Sequence, residues 1–362
     1  MSITNTKDRR PGDSMVLDTR RQPLVLRTLV SPRIADLVTE FRIKFPYCVG
    51  PSKLLQSLLL VDRCLCADLD TRLGKALTSL PNLQVLHINC LFCPDEEDTR
   101  HRYLADLVTT SLRELCLYCK CSRIRIEKSQ HILSAPCMQS VITLDWIASG
   151  GRVRPDVYDV LTHTYRKVLP LVTKLRYGRT VDLEGIVAGR PITHLGCHTM
   201  KDGLHGALSK NTGALNRLRV DENWSNINFY MGRDPEPYRS LRHFGCFRFI
   251  GCASNYILKQ MLPFAILEHL QSIEVFNHTI RLSRTEDREE RNPWKVSLLD
   301  SLYKQHRRLK KIFIKDLVEV NKLTGEKCDC FLWERRESWE RYSVSQFTDW
   351  DMVLGFEPQV VH

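Results

Sequence analysis

Residues 83–90 read LQVLHINC and residues 112–119 read LRELCLYC. Both spell L-x-x-L-x-L-x-C, and they are offset by 29 residues. Extended to LQVLHINCLFC (83–93) and LRELCLYCKC (112–121), they place Cys90, Cys93, Cys116 and Cys119 in two C-x-x-C pairs. Such a constellation is either a zinc site or two rungs of one repeat, and the choice decides the fold.

Side chains alternate faces along a strand. If Leu115 and Leu117 point inward, Cys119 does too and Cys116 points outward. A C-x-x-C pair split across a sheet cannot chelate one ion, whereas zinc-binding pairs sit on tight turns and converge tetrahedrally. Cys90 and Cys119 occupy the same repeat position, roughly 4.8 Å apart if their strands pair. The repeat is the simpler reading, so no metal ion and no other cofactor is expected. Cys64-x-Cys66 and Cys328-x-Cys330 are too short to signal a site.

The pattern continues in both directions. Val141, Leu144 and Trp146 come next, then Val172, Leu175 and Tyr177, then Ile192, Leu195 and Cys197. Leu215, Leu218 and Val220 follow, then Leu241, Phe244 and Cys246, then Leu270, Ile273 and Val275, and Leu309, Ile312 and Ile314 close the series. Upstream, Val38, Phe41 and Ile43 fit, as do Leu55, Leu58 and Leu60. Most spacings lie between 20 and 31 residues, with 17 at the start and 39 at the end. That range brackets the leucine-rich repeat, one strand and one return segment per unit. Four return segments, 67–80, 157–169, 256–270 and 294–309, carry apolar residues at spacings of three and four and are predicted helices.

One such unit cannot bury its apolar face alone; stacked units bury a continuous core. The expected fold is α/β: a curved leucine-rich-repeat solenoid, or horseshoe, with a parallel sheet on the concave face and helices on the convex face. Residues 1–20 read as a flexible lead-in, 21–320 as an irregular solenoid and 321–362 as an aromatic-rich C-terminal cap. Phe331, Trp333, Trp339, Tyr342, Phe347 and Trp350 would cover the last open edge.

The totals bound what remains. A length of 362 residues with 43% hydrophobic and 26% charged residues is the balance of a globular chain. No apolar run is long enough to span a membrane, and no signal peptide is read at the start, so a membrane is not expected as a partner. The 14 cysteines are spread along the chain, which fits a reducing cytoplasmic or nuclear setting. The net charge of +11 favours acidic partners in general.

RTLVSPRIADLVTEFRI (28–44), LTSLPNLQVLHI (77–88), SLRELCLYC (111–119) and HRRLKKIFI (306–314), with the tryptophan-rich end, resemble the repeat portion of fungal-type F-box proteins. LDTRRQPLVLRTLV (17–30) resembles the segment that follows the F-box in that family. The resemblance implies a substrate adaptor of a cullin-RING ubiquitin ligase. In it the repeats hold a substrate and the F-box binds a Skp-type adaptor. No F-box is read in this sequence, so adaptor binding is expected only if one exists, and substrate holding is the part that carries over.

In this repeat the residues flanking the inward pair face the inside of the curve. The middle of that face is basic: Lys174, Arg176, His194, His198, Arg217, Arg219 and His243 come from four successive strands. Guanidinium groups bind carboxylate and phosphate in a fork geometry, so the expected partner is an acidic or phosphorylated protein segment. The histidines would tighten that grip as pH falls. Alternatively, this is an ordinary solvated face, with Asp145 and Asp221 neutralising some of the charge across strands. Arg176→Glu with Arg219→Glu is expected to leave folding intact and abolish capture.

No phosphate loop, H-E-x-x-H or G-x-S-x-G is present, so a non-catalytic protein is expected. KQHRRLKK (304–311) reads as the exposed end of a helix before it reads as an import signal, and SRTEDREERN (283–292) as a solvated insertion. A stand-alone repeat scaffold binding an acidic partner is the alternative to the F-box type. Nucleic acid ranks below both, because the basic strands at 174–219 offer no Phe, Tyr or Trp for base stacking on their outward positions.

Overall fold

The computed structural model describes residues 31–45, 73–90, 104, 107, 109–119, 134–148, 169–177, 183–220, 224–249, 267–277, 296–321, 325–347 and 349–361. The chain divides into two compact units, Met1–Leu171 with Gly178–Asp182, and Val172–Tyr177 with Leu183–His362.

The first unit holds a helical turn α1 (Pro32–Ala35) and four strands: β1 (Glu40–Phe45), β2 (Val85–Cys90), β3 (Glu114–Cys119) and β4 (Thr143–Ala148). They pair in chain order and all in parallel. Register places Leu86, Leu115 and Leu144 in one row and Ile88, Leu117 and Trp146 in the next. These six are at most 3% exposed, and each buried aliphatic side chain contributes about 1.5–3 kcal/mol. The L-x-L signature is thus the inward face of a parallel sheet. Cys90 pairs with Cys119 in register, as the rung reading requires.

The second unit holds β5 (Lys174–Tyr177), β6 (His194–Cys197), β7 (Arg217–Val220), β8 (His243–Phe249), β9 (Ser272–Asn277) and β10 (Lys311–Asn321), again parallel and in chain order. Between them run α2 (Leu183–Val187), α3 (Asp202–Leu208), α4 (Trp224–Arg233) and α5 (Val296–Gln305). Leu175, Leu195, Leu218, Phe244, Ile273 and Ile312 form its inward row, all fully buried.

A backbone device repeats at the strand entrances. One carbonyl accepts two N–H groups from the following repeat: Gln84 O from Arg113 and Glu114, Thr193 O from Asn216 and Arg217, Asn216 O from Arg242 and His243. The same pattern recurs from Thr39 O to Arg113 O in the first unit and from Thr173 O to Gln271 O in the second. It fixes register at each rung, whatever the length of the return segment.

The parallel run then ends. β11 (Gly325–Arg335) pairs antiparallel with β10, and β12 (Trp339–Ser343) antiparallel with β11. α6 (Asp349–Leu354) follows, and the chain end bonds back to β12 through Ser345 N to Gln359 O and Val361 N to Ser343 O. The aromatic C-terminal stretch therefore extends the sheet with a hairpin before turning into a helix.

Of the predicted helices, that at 294–309 appears as α5, and residues 73–78 are helical within the predicted 67–80. The segments 157–168 and 256–266 lie outside the described residues, as do the rung at 55–60, Cys93 and the insertion 283–292. KQHRRLKK spans the α5–β10 junction; Lys304, Arg307, Arg308 and Lys310 are exposed there, as expected, while His306 and Leu309 are buried.

Candidate functional site

The outward residues of β5–β8 fall into two rows. Lys174, His194, Arg217 and His243 pair side by side, followed by Ser272 and Lys311. Arg176, Gly196, Arg219, Gly245, Glu274 and Phe313 form the second row. Register thus brings together six of the seven residues singled out in the sequence. His198 lies just past the end of β6 and is half-buried.

The glycines in the second row make room for their neighbours. A Cβ at Gly196 would stand 3.1 Å from Arg176 Cγ, and one at Gly245 would stand 3.2 Å from Arg219 Cγ and 2.8 Å from Glu274 Oε2. The arginine stems therefore lie across the adjacent strand instead of standing out from the sheet. Arg219 crosses Gly245 to reach Glu274, Nε to Oε2 at 3.4 Å. From the far side Lys315 Nζ lies 3.8 Å from Glu274 Oε1 and 4.3 Å from the Phe347 ring centroid.

Glu274 is 1% exposed and Arg219 is 8% exposed. A buried carboxylate that neutralises this face is therefore Glu274, where the sequence suggested Asp145 and Asp221. Asp145 belongs to the first unit, and Asp221 lies outside the described residues. The signal for Glu274 was present in the sequence, since it occupies the repeat position of Arg219 two rungs further on. Arg219 is part of a buried ion cluster, so replacing it with glutamate would set two carboxylates together in the interior. Arg219→Glu therefore destabilises the fold, contrary to the sequence-based expectation that it leaves folding intact.

The histidines also differ from their sequence reading. His243 is fully buried and its Nδ1 lies 2.8 Å from Ser272 Oγ. Burial, with Arg217, Arg219 and His194 nearby, lowers its pKa to about 3. His194 Nδ1 lies 2.7 Å from Thr193 Oγ1. Burial, with Lys174 and Arg217 adding repulsion, lowers its pKa to about 4. Both are neutral near pH 7, and a grip that tightens on mild acidification does not follow from them.

The largest departure is what lies over the rows. α6 packs against β6, β7 and β8. Trp350 is 4% exposed, with the Arg176 guanidinium 5.1 Å from its ring centroid. Arg217 Nη1 donates to Met352 O at 2.8 Å. The helix ends on Gly355, whose φ is +92°, with Phe356 N–H bonded to Asp351 O and Gly355 N–H to Met352 O. That bonding is the left-handed glycine termination. It brings Gly355 against the Arg217 guanidinium, 3.2 Å from its Cζ to a built Cβ. Beyond it Glu357 pairs with Lys311.

Met352 also joins Phe313, Cys330, Leu332 and Val344 in a second small core, against which Tyr342 and Phe347 pack. Phe313, an outward residue by its register, is thereby buried. The chain's own segment DWDMVLGFE (349–357) occupies the basic face. Its acids and tryptophan could have been read as complementary to that face.

In the first unit the outward face carries His87, Glu114 and Cys116, whose ligand atoms all lie within 4.8 Å of one another. Among the described residues no helix is long and apolar enough to cross a membrane.

These observations define an α/β protein with an open, mostly parallel sheet, laid down one strand per repeat. No known family pattern matches the chain, and no curated protein matches it. Among solved structures, a Bacteroides fragilis protein determined as a structural-genomics target aligns over 80% of this chain and 71% of that chain. Its identity is 10% and its TM-score 0.41, a likeness too low to carry an argument.

Proposed function

We propose that the chain is a non-catalytic, protein-binding leucine-rich-repeat protein whose basic rows at β5–β8 hold an acidic segment bearing an aromatic side chain. The observation that carries this reading is the occupancy of those rows by DWDMVLGFE, with Trp350 against Arg176 and the Met352 carbonyl on Arg217. A face that holds this segment in cis has the chemistry to hold a similar one in trans. Lys174, Arg176 and Arg217 are half-buried and form the gripping rim; Arg219, His243, Glu274 and Lys315 are the buried floor. Because α6 already lies on the rim, a partner displaces it or binds beside it, and the C-terminal segment acts as a competitor. The resemblance to F-box proteins supports a substrate-holding role inside a cytoplasmic or nuclear assembly. The Skp-type adaptor is a partner only if an F-box exists.

The test is capture by the full chain from its own cell extract, compared with capture by Lys174→Glu/Arg176→Glu. A protein retained by the first and lost from the second supports the rim as the partner surface. Equal capture by both removes the rim from the proposal. Probing the same eluate for the Skp-type adaptor decides between the ligase-linked and stand-alone forms. A nucleic-acid binder would instead retain RNA or DNA, with an affinity falling steeply as salt rises.

A further inference from the structure

The outward face of β2–β4 gathers metal-ligating side chains that no C-x-x-C search along the chain would find. His87 and Cys116 pair in register, and Cys116 with Asp145, so the three share one row across adjacent strands. Glu114 precedes Cys116 by two residues on the same face. His87 Nε2 and Glu114 Oε1 lie 2.7 Å apart. The Cys116 thiol donates to Asp145 Oδ2 at 3.6 Å. His87, Glu114 and Cys116 are half-buried, and Asp145 is 6% exposed. Arg42, next in the row beside His87, bonds to the Glu40 carboxylate, which compensates its charge.

We propose that His87, Glu114 and Cys116 form a binding site for a divalent transition metal ion, with zinc the ion best suited. An imidazole nitrogen, a carboxylate oxygen and a thiolate sulfur are each zinc ligands, at bond lengths of about 2.0–2.3 Å. Tetrahedral placement at those lengths sets ligand atoms roughly 3.3–3.7 Å apart. The three ligand atoms already lie within 4.8 Å of one another, close to that spacing. Calcium and magnesium take all-oxygen sets and gain nothing from the thiol or the imidazole.

Binding exchanges a proton for the ion. The S–H bond of Cys116 breaks as the S–Zn bond forms, and the proton leaves by way of Asp145, which already accepts it in a hydrogen bond, to water. His87 binds through Nε2 as the neutral imidazole, turning from Glu114 to the metal, while the Glu114 carboxylate supplies the third ligand. No electron is transferred. The fourth position falls to Asp145 or to a water.

The experiment is metal titration of the full chain in a phosphine-reduced, metal-free buffer. Zinc binding is followed by calorimetry, and cobalt substitution by the thiolate-to-cobalt charge-transfer band. The expected result is one ion per chain, a cobalt band, and release of a proton. Cys116→Ser and His87→Ala should abolish the band and lower affinity by more than the roughly 10–100-fold that a supporting residue costs. In the unsubstituted chain, zinc should protect Cys116 from alkylation, read by peptide mass spectrometry, which guards against a variant that fails to fold. Absence of stoichiometric binding, an undiminished cobalt band in Cys116→Ser, or unprotected Cys116 at saturating zinc would each overturn the proposal.

Discussion

Replacing Glu274 with glutamine tests the architecture of the basic face at its most buried charge. The carboxylate is 1% exposed and lies between Arg219 Nε at 3.4 Å and Lys315 Nζ at 3.8 Å, whose side chains are each 10% exposed. At an effective dielectric constant of about 20 these separations correspond to roughly 5 and 4 kcal/mol of gross attraction. Several kcal/mol of desolvation per ion offset most of it, so the cluster adds little net stability as a whole. Deleting only the carboxylate is different, because two cations then stay in the interior without it, at a cost of about 3–5 kcal/mol. The assay is equilibrium urea unfolding followed by tryptophan fluorescence, since Trp339 and Trp350 belong to the same unit as the cluster. A loss under about 1 kcal/mol, the range of an exposed ion pair, would refute the reasoning and place Glu274 in a solvated setting.

The remaining predictions concern the same unit. His194 and His243 resist protonation when folded, with pKa values of about 4 and about 3, against about 6.5 in the unfolded chain. The unfolded chain therefore binds more protons below about pH 6.5, and stability should fall as pH drops from there towards 4 and be flat above it; a urea midpoint that rises on acidification contradicts this. Gly355→Ala forces a side chain into φ +92° against Arg217 and should cost about 1–2 kcal/mol, read as a lowered Tm; an unchanged Tm means that the helix end is not held as described. Arg219→Glu should cost at least as much as Glu274→Gln, whereas Arg176→Glu, which loses a contact with the Trp350 ring, should cost no more than about 2 kcal/mol; equal losses in urea would count against the division into rim and floor.

The strand rows were legible because L-x-L alternation sets the inward face, and one carbonyl per rung locks the register whatever the return segment does. Row positions read from Leu175, Leu195 and Leu218 therefore put Lys174, His194 and Arg217 side by side correctly. What lies across the rows was not legible in the same way. The fold-back of α6 is a contact between residues 176–217 and 350–355, and no local periodicity encodes it. The low pKa values of His194 and His243 come first from burial and then from the groups beside them, Lys174 and Arg217 for His194, and Arg217, Arg219 and His194 for His243, which is a matter of side-chain packing. The cluster of His87, Glu114 and Cys116 escaped a motif search for a related reason. His87 meets Glu114 and Cys116 across strands, 27 and 29 positions away, while C-x-x-C motifs are neighbours along one strand.

The most direct test of the central claim uses the protein's own segment as the probe. A fluorescent peptide of residues 346–357 is titrated by anisotropy into the full chain and into a Trp350→Ala chain that circular dichroism shows to be folded. If α6 competes for the basic rim, the peptide should bind the Trp350→Ala chain more tightly than the unsubstituted chain. Adding Lys174→Glu and Arg176→Glu to Trp350→Ala should remove that binding. Equal affinity for the two chains, or binding indifferent to the charge reversals, would contradict a basic face that holds acidic, aromatic-bearing segments.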